Sequence, residues 1–341
     1  MKFGPVPTAD ALGAILAHSM EAYDNEANIQ TSYRIPKGTK LDANHLRDLA
    51  DEGHDTVVVA QLAADDVEEN DAATRLAQAM APDAAALGLR ISAAGAGRVN
   101  LYALHAGVSV IDVDAIHALN SVDPMITIAT VAPFHRTDAD SMVATIKIIA
   151  YGVPQNALEQ AQAAAAKAIR VLAPVYASAT LIETQVGRDV PSEKGRNALT
   201  GRLHRMGLML SDRCVTPHRE DPLSDAIKGA VGEVIFILTA SATSDPMDVG
   251  PQALRQAGGR VTGFGMPVDP GNLLFFGTLG DKPVIGLPGC ARSPALNGAD
   301  WVLERLICGV PLTQGDIAAM GVGGLLKEIP TRPQPRSTRV T

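Results

Sequence analysis

Two runs of apolar, mostly β-branched residues constrain the fold of this chain more than anything else in it. They are Val234-Ile235-Phe236-Ile237-Leu238 and Pro283-Val284-Ile285-Gly286-Leu287. A continuous run of this kind, bounded by turn residues, predicts a strand buried on both faces, as in a mostly parallel sheet. Each run then breaks into small, hydroxylated or glycine-containing residues. Thr239 to Pro251 follow the first, and Pro288 to Pro294 follow the second, ahead of a helical-looking segment that ends near Cys308.

In parallel sheets ligands sit beyond the carboxyl ends of the strands, where both loops would lie. Residues 239 to 244 offer hydroxyls and approachable backbone N–H groups, and Gly289 allows a close approach of the backbone. Ser293-Pro294 reads as a cap and first turn of a helix, whose N-terminus favours an anion. Together these features predict a phosphate as guest. Residues 265 to 274 read as a turn-rich insertion, leading into Phe275-Phe276-Gly277, that closes over the same site.

At 341 residues the chain is long enough for two domains, and a 46% hydrophobic content supplies a sizeable core. A formal net charge of −8 argues against a nucleic-acid or acidic-membrane partner, which would need a basic face. An anionic ligand must therefore be held by local groups. Cys214, Cys290 and Cys308 have no CxxC spacing, so neither a zinc site nor a disulfide framework follows. Met1-Lys2-Phe3-Gly4-Pro5 lacks an apolar signal core. No run approaches the roughly 18 to 20 apolar residues of a membrane helix. A cytoplasmic protein is expected.

Taken in order, residues 9 to 22 carry Ala and Leu at helical spacing, with His18 near the end. Asp42 starts a helix that runs to about Asp51 and is stopped by Gly53. Thr56 to Ala60 reads as a strand, and the acidic stretch from Asp65 to Asp71 as a helix start that complements the helix dipole. Strand patterns recur between residues 91 and 150. There Arg98, Asn100 and Lys147 are candidates either for a cleft or for hydrogen bonds between domains. An Ala-rich helix from Gln155 to Arg170 reads as the link between the halves. From Ala179 onward strand and helix alternate, the signature of a three-layer α/β domain. Thr331 to Thr341 reads as a mobile tail.

The loops now carry a resemblance. Thr239 to Pro251 is similar to the TGGTG-x-x-x-x-DVTP loop of molybdopterin adenylyltransferases, with Thr239, Asp248, Val249 and Pro251 on matching places. Asp269 to Gly277, followed by Gly286-Leu287-Pro288-Gly289-Cys290-Ala291-Arg292-Ser293, resembles the PGKP-x-x-FG…GLPGNPxS stretch of molybdopterin molybdotransferases. Thr184-Gln185-Val186-Gly187 with Lys194 to Leu199 resembles the strand, loop and helix that open the molybdopterin-binding domain, placing Thr184, Lys194 and Arg196 at the same sheet edge. Pro36-Lys37-Gly38-Thr39, with Leu41, Gly53 and Val57-Val58-Val59, is similar to part of the molybdotransferase N-terminal scaffold. The chain departs from the pattern at Ala240-Ser241 for a glycine pair, Asn272 for the PGKP lysine and Cys290 for an asparagine. His218 stands where the adenylyltransferases carry a catalytic acidic residue.

The resemblance implies an α/β fold with a three-layer, doubly wound molybdopterin-binding domain over residues 177 to 310. A smaller mixed α+β scaffold would occupy 1 to 153, a linking segment 154 to 176 and an extension 311 to 341. It implies a pterin site in molybdenum-cofactor biosynthesis, with Thr184, Thr239, Ser241, Thr243, Pro270, Gly271 and Asn272 as binding residues and Gly289 and Ser293 on the phosphate. Asp248, Asp245 and His218 would serve catalysis, and the two aspartates would hold magnesium, a hard ion that takes oxygen ligands. For Asp248 a helix N-cap is the competing role. The ligand would be molybdopterin or its nucleotide-activated or metallated form, handled by a molybdotransferase-like or nucleotidyltransferase-like enzyme. Alternatively the chain is a non-catalytic carrier that serves a separate nucleotidyltransferase or molybdoenzyme. An unrelated Rossmann-type nucleotide enzyme is the third reading. A homo-oligomer is expected.

Overall fold

The computed structural model describes residues 1–24, 31–269 and 271–326, in two compact units. The expected tail at 331–341 lies outside the described residues. Among the described residues no helix is long and apolar enough to cross a membrane.

The first unit comprises Met1–Leu104 and Ser109–Val171. Residues 9 to 22 are not the expected helix. They form a short 3-10 turn, Thr8–Asp10, and the strands Ile15–Leu16 and Met20–Asp24. Ile15 and Leu16 pair with Ala60 and Val59, and Ala11, Ala14 and Leu16 pack with Leu49, Val57 and Val59. Helix propensity is a weak prior, and here the sheet edge gained by pairing outweighs it. The helix Ala43–Asp51 forms as expected, because Asp42 accepts from the N–H groups of Asn44 and His45 and Gly53 adopts φ +81. A second helix, Glu69–Met80, packs with Val113–Asn120 and Gln155–Ala164 over a four-stranded sheet. The Gln155 helix stops at Ala164, well short of the expected Arg170. Lys167 takes φ +58 and Ile169–Leu172 is a strand. Leu158 and Ala161 of that helix are buried in the core of the first unit. Asn100 and Lys147 are paired inside this unit, Asn100 with Thr145 and Tyr102, and Lys147 with Glu69. His18 is exposed.

The second unit comprises Leu172 onward with His105–Val108. Its strands are β1 (Ser178–Gln185), β2 (Met209–Leu210), β3 (Cys214–Pro217), β4 (Val234–Leu238), β5 (Arg260–Met266), β6 (Asn272–Leu279) and β7 (Lys282–Leu287). Its helices are α1 (Lys194–Arg205), α2 (Glu220–Lys228), α3 (Val249–Gln256), α4 (Gly298–Ile307) and α5 (Gln314–Ala319). The strands form one seven-stranded sheet in the order β2-β1-β4-β7-β6-β5, with β3 beside the far end of β1. β1 runs parallel to β2, β3 and β4, and β4 runs parallel to β7. The segment read as an insertion is instead the turn of an antiparallel hairpin, because Asn272 already belongs to β6, which pairs with both β5 and β7.

All five residues of β4 are buried, and their side chains alternate between two apolar clusters. Val234, Phe236 and Leu238 pack with Leu199 and Leu203 of α1 and Val302 and Leu303 of α4. Ile235 and Ile237 pack with Leu223 and Ile227 of α2 and Ala253 and Leu254 of α3. Burying each such side chain contributes about 1.5–3 kcal/mol. This strand alone therefore supplies on the order of 10 kcal/mol before entropy, comparable to the net stability of a whole domain.

Gly286 explains the break in the second β-branched run. A Cβ there would overlap the ring of Phe275, which pairs with Gly286 across β6 and β7 and also lies against Gly250 of α3. Gly286→Ala is expected to cost about 1–3 kcal/mol through overpacking. Thermal melts should show Tm falling by several degrees, with Phe275→Leu partly relieving the loss in the double variant. Full additivity of the two changes would rule out the ring contact as the cause.

Candidate functional site

The carboxyl ends of β1, β3, β4 and β7 meet at one edge of this sheet, and their loops build the candidate site. Helix α1 reaches that edge because Gly195 has no side chain. A Cβ at Gly195 would overlap Leu238 at the end of β4 and come within 3.4 Å of Arg292 Cγ. No side chain caps the first turn of α1, so its N–H groups and the positive end of its dipole are open to a ligand. Arg213 steadies the approach to this helix, binding Glu183 Oε2 at 2.8 Å, the Pro191 carbonyl and Glu193.

The loop after β7 is a 3-10 turn, Gly289–Arg292, and the helix beyond begins only at Gly298. The expected cap at Ser293 is therefore displaced. Asn297 caps α4 in a capping box with Asp300, and Ser293 Oγ accepts from Ala295 N at 3.2 Å. Arg202 of α1 holds the loop in place. Its guanidinium pairs with Asp300 and donates to the carbonyls of Ala291 at 2.9 Å, Ser293 at 2.8 Å and Ala295 at 3.2 Å. Between α1 and the loop lies a solvent-open cavity of about 650 Å³, lined in part by Lys194, Asn197, Gly289, Cys290, Arg292 and Ser293. Two cations and a helix N-terminus thus face one cavity in a chain of net charge −8.

Arg292 also ties this loop to the one after β4, since its Nη2 donates to Thr239 O at 2.8 Å. Buried Thr239 and Thr243 share a hydroxyl contact of 3.3 Å, while Ser241 is exposed. Asp248 is the N-cap of α3, accepting from Val249 N at 2.7 Å, and its second oxygen accepts from Ser244 N at 3.0 Å. Asp245 Oδ1 accepts from Met247 N at 2.7 Å. Both carboxylates thus brace their own turn, and no group of three or more metal-ligating side chains converges among the described residues. Such a pair fits magnesium only as an ion that brings phosphate oxygens and water of its own.

At the other end of the edge, Thr184 of β1 accepts from Ala240 N at 2.7 Å and contacts His218 Nδ1 at 3.0 Å, joining the ends of β1, β3 and β4. Asn272, at the start of β6, is buried with its Nδ2 4.0 Å from Cys290 Sγ, and its Oδ1 meets no partner. Gly271 is exposed at φ +77, and Pro270 lies outside the described residues. Burial pushes the Cys214 thiol up and the Cys308 thiol up to about 12, while Cys290 lines the cavity.

The structure therefore gathers Gly289 and Ser293 on the cavity, connects Thr239 to it through Arg292, and links Thr184 with His218. The anchoring roles of Arg202, Arg213 and Arg292 and the cavity position of Asn197 went unread in the sequence. Lys194, Asn197 and Ala198 do follow a helical spacing that places them on one face of α1.

The sequence matches no protein-family profile and no curated protein. Solved structures do show similarity. One is the molybdopterin biosynthesis moeA protein from Pyrococcus horikoshii, 13% identical, covering 93% of this chain and 77% of that one at a TM-score of 0.31. Another is molybdenum cofactor biosynthesis protein B, 14% identical, covering 40% of this chain and 96% of that one at a TM-score of 0.30.

Two substitutions probe the scaffold of the site. Arg202→Met strands the buried Asp300 carboxylate and frees three carbonyls, so urea unfolding should reveal a loss of about 3–5 kcal/mol. Amide exchange should quicken across residues 288 to 295, and a cost below about 1 kcal/mol would show that the loop stands without this anchor. Asp248→Asn can accept only one of the two backbone N–H groups now shared by the carboxylate, and it turns its own NH₂ on the other. A loss of about 1 kcal/mol is expected in a thermal melt, against near-neutrality for a simple cap exchange.

Proposed function

We propose that this chain binds molybdopterin, or its nucleotide-activated or metallated form, as a component of molybdenum-cofactor biosynthesis. The observation that carries the reading is the meeting of the two loops. Their parent strands are hydrogen-bonded neighbours, Leu238 pairs with Leu287, and Arg292 of one loop donates to Thr239 of the other. Adjacent strands lie about 4.8 Å apart, within the scale of one small-ligand pocket.

In this reading residues 177 to 310 form a three-layer, doubly wound pterin-binding domain, 1 to 153 its scaffold, 154 to 176 the link and 311 to 341 an extension. The pterin phosphate lies against Gly289 and Ser293, with Lys194 and Arg292 balancing its charge. Thr184, Thr239, Ser241, Thr243, Pro270, Gly271 and Asn272 take the remaining polar edge. Asp245 and Asp248 hold magnesium together with oxygens of the ligand, His218 completes the reactive end, and the reaction is a molybdotransferase-like transfer. The chain works as a homo-oligomer.

One observation favours the carrier reading: both oxygens of Asp248 and one of Asp245 already accept backbone N–H groups. In that case the chain hands its pterin to a separate nucleotidyltransferase or molybdoenzyme.

Mass spectrometry of the small molecules that co-purify with the full chain tests the shared part of the proposal. A pterin bearing phosphate is the expected species, and a nicotinamide dinucleotide in its place would overturn it. Turnover then separates the two classes. A transferase should convert added activated pterin with molybdate in a magnesium-dependent way and lose at least about tenfold in Asp248→Asn, equivalent to about 1.4 kcal/mol. A carrier should bind the pterin equally well in both proteins, without turnover.

A further inference from the structure

His218 occupies the place where the resemblance calls for an acidic residue, and its hydrogen-bond partners say what it offers instead. Thr184 is fully buried, so its hydroxyl must find its partners inside the protein. The oxygen of that hydroxyl already accepts Ala240 N–H at 2.7 Å. Its single hydrogen still needs an acceptor, and His218 Nδ1 lies 3.0 Å away. If Nδ1 instead carried a hydrogen, the hydroxyl oxygen could take it on its second lone pair, but the threonine hydrogen would be left buried without a partner. Such a loss is avoided when Thr184 donates and Nδ1 accepts.

We infer that His218 carries its ring hydrogen on Nε2 and presents it as a fixed donor to an oxyanion of the ligand lying against Ala240 and Ser241. This deepens the reading of the edge as a ligand site and rests on it. The ring is oriented by the Thr184 contact, and the backbone of His218 is fixed by its N–H to Gln185 O at 2.8 Å, which continues the β1–β3 pairing. His218 is half-buried, its Nδ1 is engaged by Thr184, and its Nε2 makes no hydrogen bond among the described residues. The chemical consequence is a reversal of sign. A carboxylate at this position would repel an anionic oxygen or take up its proton, whereas an imidazole N–H attracts that oxygen and holds it. His218 then acts as a positioning donor, and proton abstraction through Nδ1 is not among its roles.

Nitrogen NMR of the full chain labelled with [15N]histidine tests the assignment without any ligand, with the His218 signals identified by their loss in a variant. Nδ1 should show an acceptor-type shift and Nε2 a pyrrole-type shift. Thr184→Ser should keep that pattern and Thr184→Val should move it toward a mixture of tautomers. A pyrrole-type Nδ1 in the wild type would overturn the assignment by itself.

Titration with inorganic phosphate tests the role. The wild-type Nε2 signal should move saturably. Gln places its amide nitrogen near the position of Nε2 and Asn near that of Nδ1, so the phosphate affinity read locally from the Ala240 and Ser241 amide signals, apart from the Gly289 and Ser293 site, should stay within about twofold of wild type in His218→Gln. His218→Asn should lose about tenfold, the scale of one hydrogen bond to a charged group. Equal affinities for the Gln and Asn variants, or an Nε2 signal that phosphate leaves unmoved, would sink the donor role. If phosphate fails to bind the wild type at all while Nδ1 is of acceptor type, the reading of the edge as an anion site falls and the tautomer stands.

Discussion

The second unit depends on a central strand that has no exposed face. β4 is buried along its whole length, with β1 and β7 parallel to it on either side and helices packed against both sets of its alternating side chains. A strand in that position cannot slip by one residue without exchanging the clusters that its side chains fill. Its register fixes the point at which the chain leaves the sheet, and because its neighbours are parallel, they leave at the same edge. The convergence of the loops after Leu238 and Leu287 follows from that packing, before any ligand is considered.

What the loops do at that edge is settled by three arginines. Arg202 reaches from the last turn of α1 to gather three carbonyls of the loop after β7 and the Asp300 carboxylate. Arg292 fastens that loop to the one after β4, and Arg213 holds the segment that leads into α1. Guanidinium groups suit this work, because a planar fork with five donors can satisfy several carbonyls at once and stays charged. Arg202 and Arg213 are themselves paired with carboxylates, so in this acidic chain it is Lys194 and Arg292 that bring positive charge to the cavity at the N-terminus of α1. That is the arrangement an anionic ligand requires, and the net charge does not disclose it.

The polar residues of the site divide into those that support and those that remain open. Asp248, Asp245 and Thr184 spend hydrogen bonds on the backbone of their own or neighbouring loops. Lys194, Asn197 and Ser293 line the cavity, and the buried Asn272 amide keeps an oxygen without a partner beside Cys290. A residue type suited to catalysis is therefore a poor guide to its role where the turn itself needs capping. For Asp248 the geometry shows the cap of α3.

Local periodicity and turn residues were enough to read the strands β4 and β7, the helical segment that ends near Cys308 and the glycine-bearing loops, whereas α1 was legible only through the resemblance. They also placed Thr239, Asp248, Gly289 and Ser293 in the two loops that meet. Long-range pairing had to settle that residues 9 to 22 form strands, that the Gln155 helix stops at Ala164 and that Asn272 opens an antiparallel strand. In each case a distant partner outweighed a local preference: Ala60 for Ile15, a first-unit core for Leu158, and Gly286 for Phe275. The same holds for Arg202, whose partners are far away along the chain, 89 residues for Ala291 and 98 for Asp300. Hydrophobic pattern is a property of neighbours in sequence, whereas a guanidinium is satisfied by whatever carbonyls the folded backbone brings to it.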